Sequence, residues 1–228
     1  AVSKCGYNVR CALLNSAWYG VPQTRERVFV IGFRNDLGIT PRFPAIRHKI
    51  ELSRGLLSSA TLDPRNWKDD KFFIPFSQLD RNLSWIPSVV TAQAFADLPP
   101  FVKHLTSFYQ SIRKIQDPVP YLIDPPNQYC KLMRNWGGLF VSDMIHDHYC
   151  RSTPRDFDTF AMMNPGDRYP EALMVAQQRY ESARAAWMRS GGKRPKRSEY
   201  VPPYSIDGFP DKWRKLIPDQ PSWTITAH

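Results

Sequence analysis

Several things are scarce in this sequence, and each shortage closes a class of explanation. No apolar run approaches the roughly 18 residues that mark a membrane-spanning helix, so no membrane partner is expected. No positively charged segment followed by an apolar core opens the sequence, so a secretory leader is not expected either. Cysteine is limited to Cys5, Cys11, Cys130 and Cys150, with no Cys-x-x-Cys pair. A disulfide-stapled secreted scaffold carries more cysteine in a shorter chain, so free thiols in a reducing, cytoplasmic setting are the simplest interpretation. Cys130, His146, His148 and Cys150 are residue types that bind zinc, but their spacing is none that zinc sites use, and no metal is expected. Acidic side chains are short as well, with 21 Asp and Glu against 31 Lys and Arg.

What is present sets the frame. The chain has 228 residues, 42% hydrophobic and 13% aromatic, enough for a packed core in one large domain or two small ones. A formal net charge of +10 and a pI of about 9.6 suggest a polyanionic partner, most simply nucleic acid. Proline, at 21 against 11 glycines, implies many extended connections held by turns.

Along the chain, Val9-Arg10-Cys11-Ala12-Leu13-Leu14 reads as a short strand. Arg27 to Phe33 is β-branched, aromatic and uninterrupted, as a strand buried on both faces should be. Tyr19-Gly20-Val21-Pro22 is the turn between them. From Pro41 to about Pro126 the apolar residues come in short runs broken by proline. Val102, Leu105, Phe108 and Ile112 recur at helical spacing and predict a helix over about 101–115. A longer helix is predicted from Pro170-Glu171 to about Arg189, stopped by Gly191-Gly192, with Leu173, Ala176, Tyr180, Ala183 and Trp187 as its core stripe. Directly after it Lys193, Arg194, Lys196 and Arg197 surround Pro195. Such a run is either a solvated loop or an arm that contacts phosphates.

Two arginines, Arg25 and Arg27, stand at the mouth of the apolar strand. The whole run Leu14-Asn15-Ser16-Ala17-Trp18-Tyr19-Gly20-Val21-Pro22-Gln23-Thr24-Arg25-Glu26-Arg27, continuing into Val28-Phe29-Val30-Ile31-Gly32, closely resembles the Gln-x-Arg-x-Arg block of cytosine-5 DNA methyltransferases together with its lead-in. Ser88 to Pro100 resembles a segment that follows the block in bacterial members, and Lys212 to His228 resembles the stretch that closes the recognition region. The resemblance is strong over some 45 residues of the 228.

The resemblance implies a mechanism. A target cytosine is flipped out of the duplex, a cysteine thiolate adds to ring carbon 6, and carbon 5 takes a methyl group from S-adenosylmethionine before losing its proton. Negative charge gathers on the ring and its O2, where a fixed guanidinium stabilises it. In the family that role belongs to the second arginine of the block, here Arg27, with Arg25 bracing the loop and Gln23 completing the substrate-binding set. Alternation along a strand would present Arg25 and Arg27 together at one edge.

The family's glycine-rich cofactor motif, its Pro-Cys loop and its Glu-Asn-Val motif do not occur in these residues, and none of the four cysteines follows a proline. The expectation is therefore a piece of a bacterial, nucleoid-associated enzyme, inactive alone, whose catalytic half belongs to a longer chain or a companion subunit. Its fold class is α/β. Residues 1–38 would be an edge hairpin of a class I, Rossmann-like methyltransferase sheet, and 39–228 a mixed α+β, loop-rich target recognition domain lying on duplex DNA. There the basic residues Lys193, Arg194, Lys196 and Arg197 would hold phosphates, and Arg134 (in Arg134-Asn135-Trp136-Gly137-Gly138) and Arg155 (in Thr153-Pro154-Arg155) are candidates to read bases. Two rivals remain: a tRNA cytosine-5 methyltransferase, whose Cys-Phe-Thr signature this sequence lacks, and a non-catalytic DNA-binding subunit or remnant.

Overall fold

The computed structural model describes residues 2–50, 72–99, 118–139, 143–146, 154–207 and 213–224. They group into two compact units, Ala1–Ala94 with Pro218–His228, and Phe95–Ile217. The compact grouping thus divides the chain elsewhere than at residue 38. The predicted helix over 101–115 lies outside the described residues.

The first unit is built on a hairpin. β1 (Tyr7–Asn15) pairs antiparallel with β3 (Glu26–Arg34), in register from Tyr7 opposite Arg34 to Asn15 opposite Glu26, and β2 (Gln23–Thr24) sits in the connection. Both predicted strands form, each longer than its apolar run. The free edge of β1 is taken by a short parallel bridge, with Cys11 N–H donating to the Phe72 carbonyl at 2.7 Å and Ile74 N–H to the Cys11 carbonyl at 2.8 Å. Ala12 and Leu14 make the core with Phe43, Ile46 and Leu79, and Trp18, Tyr19, Ile31 and Ile74 close around it. β4 (Ile46–Lys49) pairs in parallel, with one irregularity, with β5 (Arg81–Pro87), and the single turn α1 (Thr91–Ala94) follows.

One expectation fails here. The strand that reads as buried on both faces is not: Val28, Phe29 and Val30 are 44%, 50% and 61% exposed. β3 has β1 on one edge and, among the described residues, no strand on the other. An interior composition has no cover within these residues.

In the second unit β6 (Val119–Pro120) pairs antiparallel with β7 (Met144–Ile145). α2 (Gln128–Arg134) starts where the Asn127 side chain accepts the Cys130 N–H at 2.9 Å, a regular N-cap. α3 (Pro154–Met162) packs on α4 (Tyr169–Ser190). α4 begins as predicted, with Pro170 in its first turn and the Glu171 carboxylate accepting Arg168 N–H at 2.9 Å, and it ends at Gly191 with φ 70°. The predicted stripe is the packed one, and it starts a turn earlier, with Tyr169, Ala172 and Ala176 fully buried and Tyr180, Ala183 and Trp187 half-buried. Tyr169, Phe160 and Trp213 lock edge to face, with Trp213 4.8 Å from Phe160 and 5.5 Å from Tyr169 between ring centres. Among the described residues no helix is long and apolar enough to cross a membrane. The described chain ends in β8 (Ser222–Trp223), which belongs to the first unit. The result is a mixed α/β chain of small, two-stranded sheets.

Candidate functional site

The site is the turn that carries Gln23, Arg25 and Arg27, and each residue of its lead-in has a mechanical task. Asn15, buried at the end of β1, accepts the Ala17 N–H on its side-chain oxygen at 3.0 Å and so starts the tight turn over Ser16–Tyr19. Gly20 ends that turn at φ 87°, a left-handed conformation that strains any other L-residue. A Cβ at Gly20 would also lie 3.0 Å from the His48 ring. His48 Nδ1 is 3.0 Å from the Pro87 carbonyl, which can only accept, so Nδ1 carries the proton and Nε2 faces the glycine. Tyr19 is anchored by its hydroxyl, which donates to the Pro44 carbonyl at 3.2 Å, and burial pushes that phenol's pKa up.

Ser16 then fastens the far side. Its Oγ donates to the Gln23 carbonyl at 2.6 Å and accepts the Arg25 N–H at 3.2 Å, while its own N–H donates to the Arg25 carbonyl at 3.0 Å. The opposite side of Gln23-Thr24 is held by β8, which pairs with β2 in parallel from some 200 residues away. Ser222 N–H donates to the Pro22 carbonyl at 2.9 Å. Gln23 Nε2 reaches the Trp223 carbonyl at 3.3 Å, Thr24 Oγ1 the Ser222 carbonyl at 3.2 Å, and Thr224 Oγ1 the Thr24 carbonyl at 2.8 Å. The returning segment is in turn stitched to α1, where Thr91 donates from N–H and Oγ1 to the Gln220 carbonyl at 2.9 and 2.7 Å.

The two arginines emerge from this clamp into solvent. Arg25 and Arg27 are both exposed, and Arg27 Nη1 donates to the Glu26 carbonyl at 2.7 Å. Arg25 lies in the break between β2 and β3, outside either strand. Strand alternation therefore does not set its direction relative to Arg27; the Ser16 clamp holds its backbone instead.

The candidates in the second unit fare differently. Arg134 is drawn inside: Nε and Nη2 meet Asp97 Oδ2 at 2.9 and 2.8 Å, Nη2 also donates to the Ile123 carbonyl at 2.6 Å, and the guanidinium stacks 3.8 Å from the Tyr121 ring centre. Arg155 binds the neighbouring Asp156 carboxylate in a forked pair that raises the arginine's pKa, although burial acts the other way. Lys193, Arg194, Lys196 and Arg197 are all exposed and follow directly after the end of α4. Thr153 lies outside the described residues. Among the described residues no group of three or more His, Cys, Asp or Glu is placed to hold a metal.

Sequence reasoning missed three holding groups. Ser16 and the Ser222-Trp223-Thr224 segment act through hydrogen bonds to backbone groups that no motif spacing displays. Arg179 donates to the Arg155 carbonyl, Thr159 Oγ1 and Asp158 across the α3–α4 seam. Its place in helical step with Ala172 and Ala176 was the signal that it faces inward.

Residues 1–97 match the model of the C-5 cytosine-specific DNA methylase family. A protein of Oceanobacillus iheyensis named as a type II methyltransferase is 32% identical over 233 residues, an alignment that covers 98% of this chain and 48% of that protein. The type II methyltransferase M.BspRI of Lysinibacillus sphaericus is 35% identical over 98 residues, covering 39% of this chain and 23% of its own length. M.FnuDI of Fusobacterium nucleatum is 60% identical over 37 residues, 16% of this chain and 11% of its own length. The chain spans about half the length of the relative that it matches from end to end, at 48%. Residues 1–97 are thus similar to the C-5 cytosine-specific DNA methylase family, and over nearly its whole length the chain is similar to a protein named as a type II methyltransferase.

Proposed function

We propose that these residues are the part of a DNA (cytosine-5-)-methyltransferase that braces the target base and recognises the target sequence. The whole enzyme transfers a methyl group from S-adenosylmethionine to carbon 5 of cytosine in a specific duplex sequence. One observation carries the reading: stretches that resemble the family at Leu14–Gly32, Ser88–Ala94 and Pro218–Thr224 are stitched together around Gln23-Thr24-Arg25.

In this reading β1 and β3 are the edge hairpin of a class I methyltransferase sheet, residues 1–38 the tail of the catalytic domain, and 39–228 the target recognition domain. The bare apolar edge of β3 supports it, because such an edge is covered in a finished protein. The partner that covers it is the catalytic half, which also brings the nucleophile, since none of the four cysteines in these residues follows a proline. The hollow of about 480 Å³ lined by Tyr7, Asn8, Val9, Asn35, Gly38, Ile39 and Phe72 offers no carboxylate for a ribose or an ammonium group, so it does not fit S-adenosylmethionine.

Arg27 has the central chemical role. When the thiolate adds to carbon 6, negative charge passes to the ring and O2. A guanidinium has five N–H donors, and one hydrogen bond to the Glu26 carbonyl leaves the others for that oxygen. Because the clamp holds the backbone in advance, little reorganisation is needed as the charge appears. Arg25 braces the loop and the phosphates, Gln23 ties it to β8, and the basic residues of the second unit position the duplex.

In the complete enzyme, Arg27→Ala should lower kcat by roughly 10²–10³, about 3–4 kcal/mol, as loss of an oxyanion-type donor does. Duplex affinity should stay within a few-fold of wild type, and Arg25→Ala should cost less. Wild-type turnover in Arg27→Ala together with a crippled Arg25→Ala would invert the two roles. A complete protein that binds duplex and transfers no methyl group would instead be a non-catalytic DNA-binding relative.

A further inference from the structure

We infer that the far end of α4 and the hook that follows it, residues 184–199, form a rigid grip for the phosphate backbone of duplex DNA, independent of sequence. Six exposed cations fall within this short stretch, Arg184, Arg189, Lys193, Arg194, Lys196 and Arg197, while Glu199 is its one acid. Like charges concentrated in one stretch repel one another, and a polyanion relieves that repulsion.

The hook is built rather than loose. Gly191 and Gly192, at φ 70° and 94°, reverse the chain, and Trp187 Nε1 donates to the Gly192 carbonyl at 3.1 Å. The Arg194 guanidinium stacks 5.6 Å from the Trp187 ring centre. Arg197 Nη2 donates to Gln177 Oε1 at 3.3 Å, back on α4. Glu199 accepts the Lys196 N–H at 3.2 Å and faces Lys193 Nζ at 3.6 Å. The exit is fixed as well: Val201 N–H donates to the Arg197 carbonyl at 2.8 Å and its side chain is buried. Arg194 and Arg197 therefore hold the shape. Arg184, Arg189 and Lys196 present charge outward, and Lys193, although it faces Glu199, is 83% exposed at its side chain and does so as well.

A run of exposed cations on a fixed hook, with Met188 as its single exposed large apolar side chain, suits a phosphate ladder. A bilayer surface asks for a wider apolar face beside the charge. The inference rests on the proposed function in taking duplex DNA as the partner, but it uses neither Arg25 nor Arg27, so it stands or falls apart from the assignment of the catalytic arginines.

The test is the salt dependence of binding by the full chain to short duplexes of mixed sequence. Replacing Arg184, Arg189, Lys193 and Lys196 together by glutamine leaves the two shape-holding arginines in place. The slope of log affinity against log salt should flatten by roughly 0.9 for each phosphate that is no longer neutralised, about 2–4 in all, equally for every duplex. The charge-preserving set Arg184→Lys, Arg189→Lys, Lys193→Arg and Lys196→Arg should keep the wild-type slope. A glutamine set that retains the full slope overturns the inference. So does an equal loss from Lys4, Arg34, Arg42 and Arg47→Gln in the first unit, which would mean net charge alone. Binding to phosphatidylserine–phosphatidylcholine vesicles that needs the four residues while duplex binding does not would assign the surface to a membrane instead. Loss of methyl transfer on Arg27→Ala with the slope intact leaves this inference standing.

Discussion

Replacing Arg134 by alanine separates an interior role for this guanidinium from a role on DNA. The side chain is 12% exposed and that of its partner Asp97 5%. Alanine removes two charge-assisted contacts to Asp97, one hydrogen bond to the Ile123 carbonyl and the cation stacked on Tyr121. What stays behind is a buried carboxylate without its cation and a carbonyl without its donor. Removing one partner of a buried pair costs about 3–5 kcal/mol, a large part of the roughly 5–15 kcal/mol that holds a domain together. The loss also reaches the segment before α2, because Asp97 accepts Leu122 N–H at 2.9 Å on its backbone and so ties residues 121–123 to the same point. Urea unfolding of the chain followed by near-UV circular dichroism should show a midpoint lowered by about 1 M or more, given slopes of about 1–3 kcal/mol/M. Arg134→Met combined with Asp97→Asn should recover most of the loss. A single variant weakened by less than about 1 kcal/mol, well under the buried-pair cost, would refute the reasoning, most of all if it lost duplex sequence preference. The guanidinium would then leave its pocket to read bases.

The remaining predictions are smaller. The 228-residue chain incubated with labelled S-adenosylmethionine and mixed duplex DNA should incorporate no label above background, because none of its cysteines follows a proline; incorporation would overturn the proposed division between catalytic half and recognition piece. Gly20→Ala should lower stability by about 1–2 kcal/mol from the left-handed backbone alone, with further cost from the contact to His48, and His48→Ala in that background should return only the second part in thermal unfolding. Glu199 accepts the Lys196 N–H and faces Lys193, and both effects hold its pKa below the ordinary carboxylate value. A depressed folded pKa means its support of the hook is complete above the unfolded value of about 4.3 and is lost as pH falls through the folded value. The Trp187 indole N–H resonance should report loosening in that acid window in wild type and show no such step in Glu199→Gln.

Legibility in the sequence followed the range of the interactions. The β1–β3 hairpin and α4 were readable because periodicity, proline, glycine and acid at the helix ends act within a few residues. The turn residues Asn15, Gly20 and Pro22 were recognisable as a block, but Ser16 looked inert, since its partners are backbone groups of Gln23 and Arg25. α2 escaped because its start is a single Asn127 cap after two prolines, too little for a pattern. Arg134 and Arg155 read as candidates for DNA because sequence shows a charge and not its partner. Asp97 lies 37 residues from Arg134, and that pairing exists only in the folded chain.

The burial of β3 is the instructive miss. Arg27 to Phe33 has the composition of an interior strand, yet Val28, Phe29 and Val30 stand in solvent beside an edge that no described strand covers. Composition records what a strand suits, whereas its burial depends on which segment packs against it, and among the described residues no strand covers this edge of β3. An exposed strand of this kind is a template for pairing, and proteins that present one to water normally blunt it with charge, proline or a bulge. β3 carries arginine only at its two ends, Arg27 and Arg34, and pairs with β1 without a bulge. The middle of the strand is therefore unguarded, which fits an edge that is met by another chain segment. Arg27 is the second residue of the same strand, directly before the exposed Val28 to Val30. On the proposed reading the segment that covers Val28 to Val30 lies beside Arg27, whereas the clamp at Gln23 and Arg25 is complete within these residues.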